Sequence, residues 1–144
     1  MANEQYAFLD KTKMLSLTEW QAAVTESGFD LTLDPELKIG TDSGFVPCKL
    51  YGTDSGVEID FVDNPEYLKD FKDVAPDATY YVSFRWGGDM SECACAMILS
   101  YALAERAGAM VSYECEDPYD DLSALKSETM DILRDAKLIP KSGN

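Results

Sequence analysis

The sequence predicts an α+β fold in which a mixed or mostly antiparallel sheet packs against helices on one face. Short alternating segments separated by turn residues fill the first half, and a β-α-β-α order fills the second. The stretch from residue 90 to residue 107 is apolar almost all round between Cys93 and Ala104. A helix of that kind is packed on more than one side, so we expect it to be the central buried helix.

The chain has 144 residues, the usual size of one domain, so we assign residues 1–144 to a single domain. We expect residues 1–13 and 138–144 to be loose termini. The first predicted helix covers residues 15–27, because Leu17, Trp20 and Val24 follow helical spacing and Gly28 ends the pattern. Residues 29–33 alternate between apolar and polar side chains and predict a strand.

An exact five-residue repeat, Gly-Thr-Asp-Ser-Gly, occupies residues 40–44 and 52–56. Glycine, aspartate and serine favour tight turns, so we expect both copies to be turns. The second copy would join strands 45–51 and 57–62 into a hairpin, and the first would lead into it. Asp-Ser-Gly also occurs in aspartic proteases, but two copies at opposite ends of one hairpin strand would not bring their carboxylates together within one chain. A dimer of the retroviral type is the remaining route to such a pair, although no apolar strand precedes Asp42.

The second half contains four further predicted elements. Residues 79–86 are rich in β-branched and aromatic side chains and form the clearest strand of the sequence. The others are a short helical segment at 65–71, a strand at 109–115 and an amphipathic helix at 121–136. Gly87, Gly88 and Asp89 separate the strand at 79–86 from the central helix, and Gly108 ends that helix.

The composition excludes several classes of function. With 27 acidic and 12 basic residues the net charge is −15, which disfavours binding to nucleic acids and to anionic membranes. The chain has no histidine, so it has no Ser-His-Asp triad and no imidazole ligand for a metal. We predict no catalytic residues, no metal site and no cofactor, and we expect the protein not to be an enzyme.

The four cysteines are expected to be reduced thiols that do not form a shared site. The start of the chain lacks an apolar signal segment and no run reaches the length of a membrane span, so we expect a cytoplasmic protein with reduced thiols. Cys93 and Cys95 lie about 200° apart around a helix, so their sulfurs point to different sides. Cys48 and Cys115 stand alone in the sequence.

Ten of the 27 acidic residues lie in two windows that contain no base, residues 50–68 and 107–125, with five acids in each. Strand alternation directs Val57 and Ile59 toward the core and their neighbours Glu58 and Asp60 toward solvent. With a tyrosine nearby, such carboxylates would form a docking surface for a basic protein. A solvated acidic surface that only aids solubility is the alternative. The predicted contacts are Glu58, Asp60, Tyr81, Glu114, Glu116, Asp117, Tyr119, Asp120 and Asp121.

Two stretches carry a resemblance to a known class of proteins. The segment PCKLYGTDSGVEIDF and the later segment YYVSFRWGGDMSECACAMILSYALAERAGAMVSYE resemble small acidic bacterial immunity proteins of contact-dependent or polymorphic toxin systems. The resemblance covers residues 28–136. It implies a cytoplasmic protein that binds and neutralises a basic toxin domain, such as a nuclease, and it assigns no particular contact residue.

The leading hypothesis is therefore a protein-binding module, an immunity-type inhibitor that covers a basic toxin domain with its acidic surface. One alternative is a small-molecule enzyme that uses Asp/Glu acid-base chemistry or Cys93. A second alternative is an inhibitor that mimics DNA with regularly spaced carboxylates. The sequence leaves the partner, the oligomeric state and the strand order open.

Overall fold

The computed structural model describes residues 2–114, 118–119 and 121–140. One sheet of six strands, with all neighbours antiparallel, has the order β2-β3-β4-β5-β1-β6. The strands are β1 (Asn3–Leu9), β2 (Leu31–Leu33), β3 (Gly44–Leu50), β4 (Thr53–Val62), β5 (Tyr80–Trp86) and β6 (Met110–Tyr113). The helices are α1 (Leu17–Glu26), α2 (Pro65–Leu68), α3 (Met90–Ala107) and α4 (Leu122–Asp135). The predicted α+β class is confirmed.

Helix α3 is the central element of the fold. Asp89 caps it by accepting a hydrogen bond from the Ser91 amide, and Gly108 ends it in the left-handed conformation at φ 71°. Every residue from Cys93 to Leu103 is buried, because α3 packs on the sheet and also between α1 and α4. The prediction of a central buried helix over residues 90–107 is confirmed.

Within the described part of the chain, no helix has the length and apolar character needed to cross a bilayer.

Helix α1 is joined to α3 by a buried tryptophan. Ser16 and Glu19 form a capping box at its start, each side chain accepting from the other residue's backbone amide. Trp20 is fully buried, and its indole N–H donates to the Leu99 carbonyl oxygen at 3.1 Å. This bond satisfies the only polar atom of a large apolar side chain, so α1 has one fixed position on the core.

Strand β1 corrects the expectation of a loose N-terminal segment. Asn3–Leu9 lies between β5 and β6, and Ala7 pairs with Val82 on one side and Val111 on the other. Ala7 faces the core beneath α3, while Phe8 packs in a second apolar cluster on the opposite face. Because both faces are covered, the strand lacks the alternation that marks a half-exposed strand.

The expectation that residues 138–144 form a loose terminus is also wrong in part. Leu138 donates its amide to the Leu133 carbonyl oxygen at 3.0 Å, and Leu138 and Ile139 pack against the main core. Residues 141–144 lie outside the described residues.

The second face of the sheet is partly covered as well. Helix α2 continues into a 3₁₀ turn, Lys69–Phe71, whose Phe71 ring lies 5.3 Å from Phe8 and 5.2 Å from Tyr81, centroid to centroid. Tyr6 completes this cluster of four rings. The main helices α1, α3 and α4 therefore share one face, as predicted, and the short 65–71 segment lies on the other. We call the face that carries this segment the outer face.

The two copies of the repeat differ in structure. The β3–β4 hairpin turns at Tyr51 and Gly52, which both have positive φ values of 49° and 79°. A two-residue turn of this kind matches the twist of the strands. Residues 53–56 already belong to β4, so only the first glycine of the second copy is in the turn. The first copy leads into β3, which begins at its last glycine, Gly44, and within it Asp42 accepts a hydrogen bond from the Lys38 amide at 2.9 Å.

The position of β1 gives a direct test of the N-terminal segment. We expect Ala7→Asp to lower the free energy of unfolding by about 3 kcal/mol or more, because it buries an unpaired carboxylate in the core. Ala2→Asp is the matched control, since Ala2 is exposed and precedes the strand. Urea unfolding followed by circular dichroism measures both variants, and equal stability of the two would contradict the assignment of β1.

Candidate functional site

The outer face of β4 carries the first two predicted contacts. Glu58 and Asp60 are exposed there, while Val57 and Ile59 are fully buried on the helix face. In the strand register Arg85 of β5 lies between Glu58 of β4 and Glu4 of β1. A guanidinium thus interrupts the row of carboxylates, so this part of the outer face is less acidic than the sequence windows indicate.

Tyr81 lies on the same face but inside the aromatic cluster. Its side of β5 is covered by Phe71, and only 8% of the residue is exposed. The ring packs against Phe8 at 5.6 Å between centroids. The sequence prediction of Tyr81 as a surface contact is wrong, because strand alternation gives the side of a residue but not what covers that side.

Glu114 lies at the end of the sheet beside β1. Its amide donates to the Glu4 carbonyl oxygen at 2.9 Å, and its carboxylate accepts from the Glu4 amide at 3.1 Å. The residue follows β6 directly and has a positive φ of 52°. Its carboxylate therefore extends the pairing between β1 and β6, away from Glu58 and Asp60.

Two of the remaining predicted contacts, Tyr119 and Asp121, do not join the outer face. Tyr119 packs against the main core on the helix side, and its amide donates to the Val111 carbonyl oxygen at 3.1 Å. Asp121 caps α4 by accepting from the Ala124 amide at 2.8 Å. Three further predicted residues lie outside the described part of the chain: Glu116, Asp117 and Asp120.

A cleft of about 630 Å³ lies where β2, β3 and the start of β4 meet the first turn of α3, and we call it the Phe45 cleft. Apolar atoms make up most of its wall. Its residues are Thr32, Leu33, Asp34, Pro35, Phe45, Pro47, Cys48, Lys49, Asp54, Ser55, Asp89, Ser91 and Glu92.

Phe45 is the most exposed large apolar side chain described in the protein, at 57%. The ring rests over Gly56, where a Cβ atom would lie 2.4 Å from the Phe45 ring and 2.5 Å from the Val46 carbonyl oxygen. Strand β2 pairs only with Cys48, Lys49 and Leu50, so it does not extend alongside Phe45. Because β2 is short and residue 56 is a glycine, the Phe45 ring lies exposed at the surface.

The cleft is rimmed mainly by carboxylates. Four of its residues are acidic, Asp34, Asp54, Asp89 and Glu92, and the one basic residue is Lys49, which forms an ion pair with Asp54. Partial burial raises the pKa of Glu92, and the charges of Asp89 and Glu58 raise it further. The cap hydrogen bonds from Ser91 lower the pKa of Asp89.

Sequence reasoning missed this cleft because its walls come from three separate segments, residues 32–35, 45–55 and 89–92. Only Glu58 connects it to the predicted contacts: it pairs with Phe45 across β3 and β4 and its charge acts on Glu92. The one local signal is Phe45 itself, an aromatic residue at the outward position of an alternating strand.

Cys93 and Cys95 lie on two sides of α3, as the helical spacing predicts. Cys95 contacts Ser55 at 3.7 Å between sulfur and oxygen, and Ser55 is the cross-strand partner of Cys48. Hydrogen bonding to Cys95 and burial raise the pKa of the Cys48 thiol. Cys48 therefore does not stand alone in the fold. Cys93 faces the other way, where burial and the charge of Glu128 raise the pKa of its thiol to about 11.

Among the described residues, no group of three or more Cys, Asp or Glu side chains is placed to hold a metal ion.

No protein-family model, curated protein or solved structure matches this chain.

The raised pKa of the Cys93 thiol predicts that this thiol is alkylated slowly in the folded protein. Because the thiolate is the reactive form, alkylation of native Cys93 by iodoacetamide at pH 8 should be slower than in urea by a factor of about 100 or more. The rate should rise about tenfold per pH unit below a pKa of about 11. Peptide-resolved mass spectrometry measures both rates, and equal native and urea rates would contradict the burial of this thiol.

Proposed function

We propose that this chain is a protein-binding module that engages a basic partner at the Phe45 cleft. The observation that carries the proposal is the exposed Phe45 ring beside an apolar-walled cleft with four acidic residues among its lining residues. Surface apolar patches with a charged rim are typical of protein-docking sites.

The charge of the cleft favours a partner rich in lysine or arginine. The net charge of −15 attracts a basic protein from a distance, and the carboxylates beside Phe45 orient it during approach. Lys49 is already paired with Asp54, so three of the acidic lining residues, Asp34, Asp89 and Glu92, have no lysine or arginine partner among the cleft residues. Glu58 and Asp60 extend this surface along the outer face of β4.

Phe45 suits the role of an apolar anchor. Aromatic side chains that are already held in place lose little conformational entropy on binding and contribute much of the free energy of an interface. The Phe45 ring packs directly against the Gly56 backbone, where a side chain would displace it. Pro35 and Pro47 add rigid apolar surface beside it.

The finer form of the proposal is a cytoplasmic immunity-type inhibitor of a basic toxin domain. In that role the carboxylates pair with the cationic residues of the toxin's active cleft, and Phe45 fixes the complex. Co-expression with a basic toxin domain, where one is encoded beside this gene, tests it. Survival with the wild-type chain and death with Phe45→Ala are expected, whereas death with both chains would refute the inhibitor role.

The binding proposal has a test that does not require the natural partner. Selection of random peptides displayed on phage against the immobilised protein should enrich sequences with lysine or arginine next to apolar residues. For the best peptide, Phe45→Ala should raise the dissociation constant about tenfold or more, measured by fluorescence anisotropy, because truncating an interface anchor costs about 2 kcal/mol. Raising the salt concentration should weaken binding further.

Tyr67→Ala is the matched control, since Tyr67 is 56% exposed but lies in α2, away from the cleft. Its affinity for the selected peptide should equal that of the wild type. Enrichment of acidic peptides, or equal loss of affinity in the two variants, would overturn the proposal.

A further inference from the structure

Strand β3 has an open edge beside Phe45. Its neighbour β2 pairs only with residues 48–50 of β3. After β2 the chain turns away, because the Leu37 amide donates to the Asp34 carbonyl oxygen at 3.1 Å and Leu37 is buried in the main core. The part of β3 that precedes residue 48 therefore has β4 on one side and no strand of the described chain on the other.

The hydrogen-bond pattern shows which backbone groups of β3 point to this edge. In an antiparallel sheet, successive residues direct their N–H and C=O groups to alternate sides of the strand. The Tyr51 amide donates to the Asp30 carbonyl oxygen at 2.9 Å, so residue 51 and every second residue before it, including Phe45, face the β2 side. The two-residue hairpin turn agrees, because its closing pair, Leu50 and Thr53, directs the even-numbered residues of β3 to β4.

Pro47 lies on the same side of β3, between Phe45 and the part that β2 covers. Proline has no N–H to donate, so within sheets it is found where that side of the strand lacks a partner. Its presence here fits an edge position, and it limits strand pairing to the backbone that precedes it. We call the outward-facing N–H and C=O groups of Phe45 the Phe45 edge.

The two outermost strands of the sheet have other groups against their outer edges. The Gln21 side chain of α1 donates to the Leu31 carbonyl oxygen and accepts from the Leu33 amide, both at 2.8 Å, as a residue of a parallel strand would. On β6 the Tyr119 amide donates to the Val111 carbonyl oxygen at 3.1 Å. A strand added at either end would have to displace these bonds, whereas the open edge of β3 has no such bond among the described residues.

The side chains around the Phe45 edge favour a segment that carries lysine or arginine. Glu58 is the cross-strand neighbour of Phe45 and is exposed on the same face, and Asp34 lies where β2 ends. An added strand alternates its side chains between the two faces, so every second residue meets the exposed ring and the Glu58 carboxylate. A second copy of this chain, with its net charge of −15, would be repelled here, so the charges favour a basic segment of another protein.

We propose that the basic partner binds by strand addition: an extended segment rich in lysine or arginine pairs with β3 at the Phe45 edge. The backbone of this segment supplies hydrogen bonds, and its alternate side chains contact the Phe45 ring and the carboxylates of the cleft. This inference rests on the proposed docking function, because it states how the chain of the partner lies at the same cleft.

Amide hydrogen exchange of the free protein tests the edge without any partner. The Phe45 amide faces the open side, so it should exchange on the order of 100-fold faster than the Val46 amide, which faces β4. Exchange followed by NMR measures both amides in one sample, and Val46 is the internal control. Equal protection of the two amides would overturn strand addition and would leave the docking function unaffected.

A defined peptide tests the added strand itself. The probe is a labelled peptide with three Lys-Val repeats, acetylated and amidated at its ends, and the same peptide with glutamate in place of lysine is its control. Fluorescence anisotropy should show binding of the lysine peptide and no measurable binding of the glutamate peptide. In the complex, exchange of the Phe45 amide should slow about tenfold or more, while exchange of the Val46 amide stays as it was.

Two variants at one position separate the backbone from the ring. Phe45→Ala and Phe45→Pro both remove the ring, but only proline also removes the outward N–H. Pro47 shows that β3 accepts proline at an outward position, and circular dichroism checks that both variants fold. Phe45→Pro should bind the lysine peptide about fivefold more weakly than Phe45→Ala, since one hydrogen bond is lost.

The outcomes separate this inference from the docking function. If the two variants bind equally and the Phe45 amide stays unprotected in the complex, strand addition is wrong, although weaker binding of both variants than of the wild type still supports docking at the ring. Absence of binding by the lysine peptide would also overturn strand addition by a basic segment. The peptides selected on phage decide the docking function independently of that result.

Discussion

The packing of α3 across the sheet is the interaction on which the other features of the molecule depend. The buried helix covers the inner faces of the central strands, holds α1 through Trp20 and gives α4 its place. Its first turn also forms one wall of the Phe45 cleft, which Asp89, Ser91 and Glu92 line. The position of α3 on the sheet therefore sets the width of that cleft.

The charge of the chain is distributed unevenly over the functional surfaces. On the outer face Arg85 lies between Glu58 and Glu4 in the strand register. At the Phe45 cleft, acidic side chains outnumber the one basic residue, and that lysine is paired. Carboxylates thus lie beside an exposed apolar ring, so in the proposed docking role Coulomb attraction and apolar burial would act on the same partner.

Local patterns were sufficient for the elements whose signals are local. The ends of α3 follow from the Asp89 cap and Gly108, and Ser16 likewise marks α1. Strand β1 was missed, because a strand covered on both faces has no alternation to detect. Tyr81 was misassigned for a related reason, since the covering Phe71 comes from a distant segment. The Phe45 cleft also depends on tertiary packing, because no single stretch of sequence contains its wall.

The position of β1 between β5 and β6 has a consequence for how the chain folds during synthesis. Strand β1 is synthesised long before the two strands that it pairs with: Gln5 pairs with Phe84 and with Tyr113, 79 and 108 positions later. The β2-β3-β4 meander joins neighbouring segments and has no such delay. At about 5–20 residues per second, the apolar Tyr6-Ala7-Phe8-Leu9 stretch waits for several seconds without its neighbours. Among the described strands, β1 is therefore the one that stays unpaired for longest in the nascent chain.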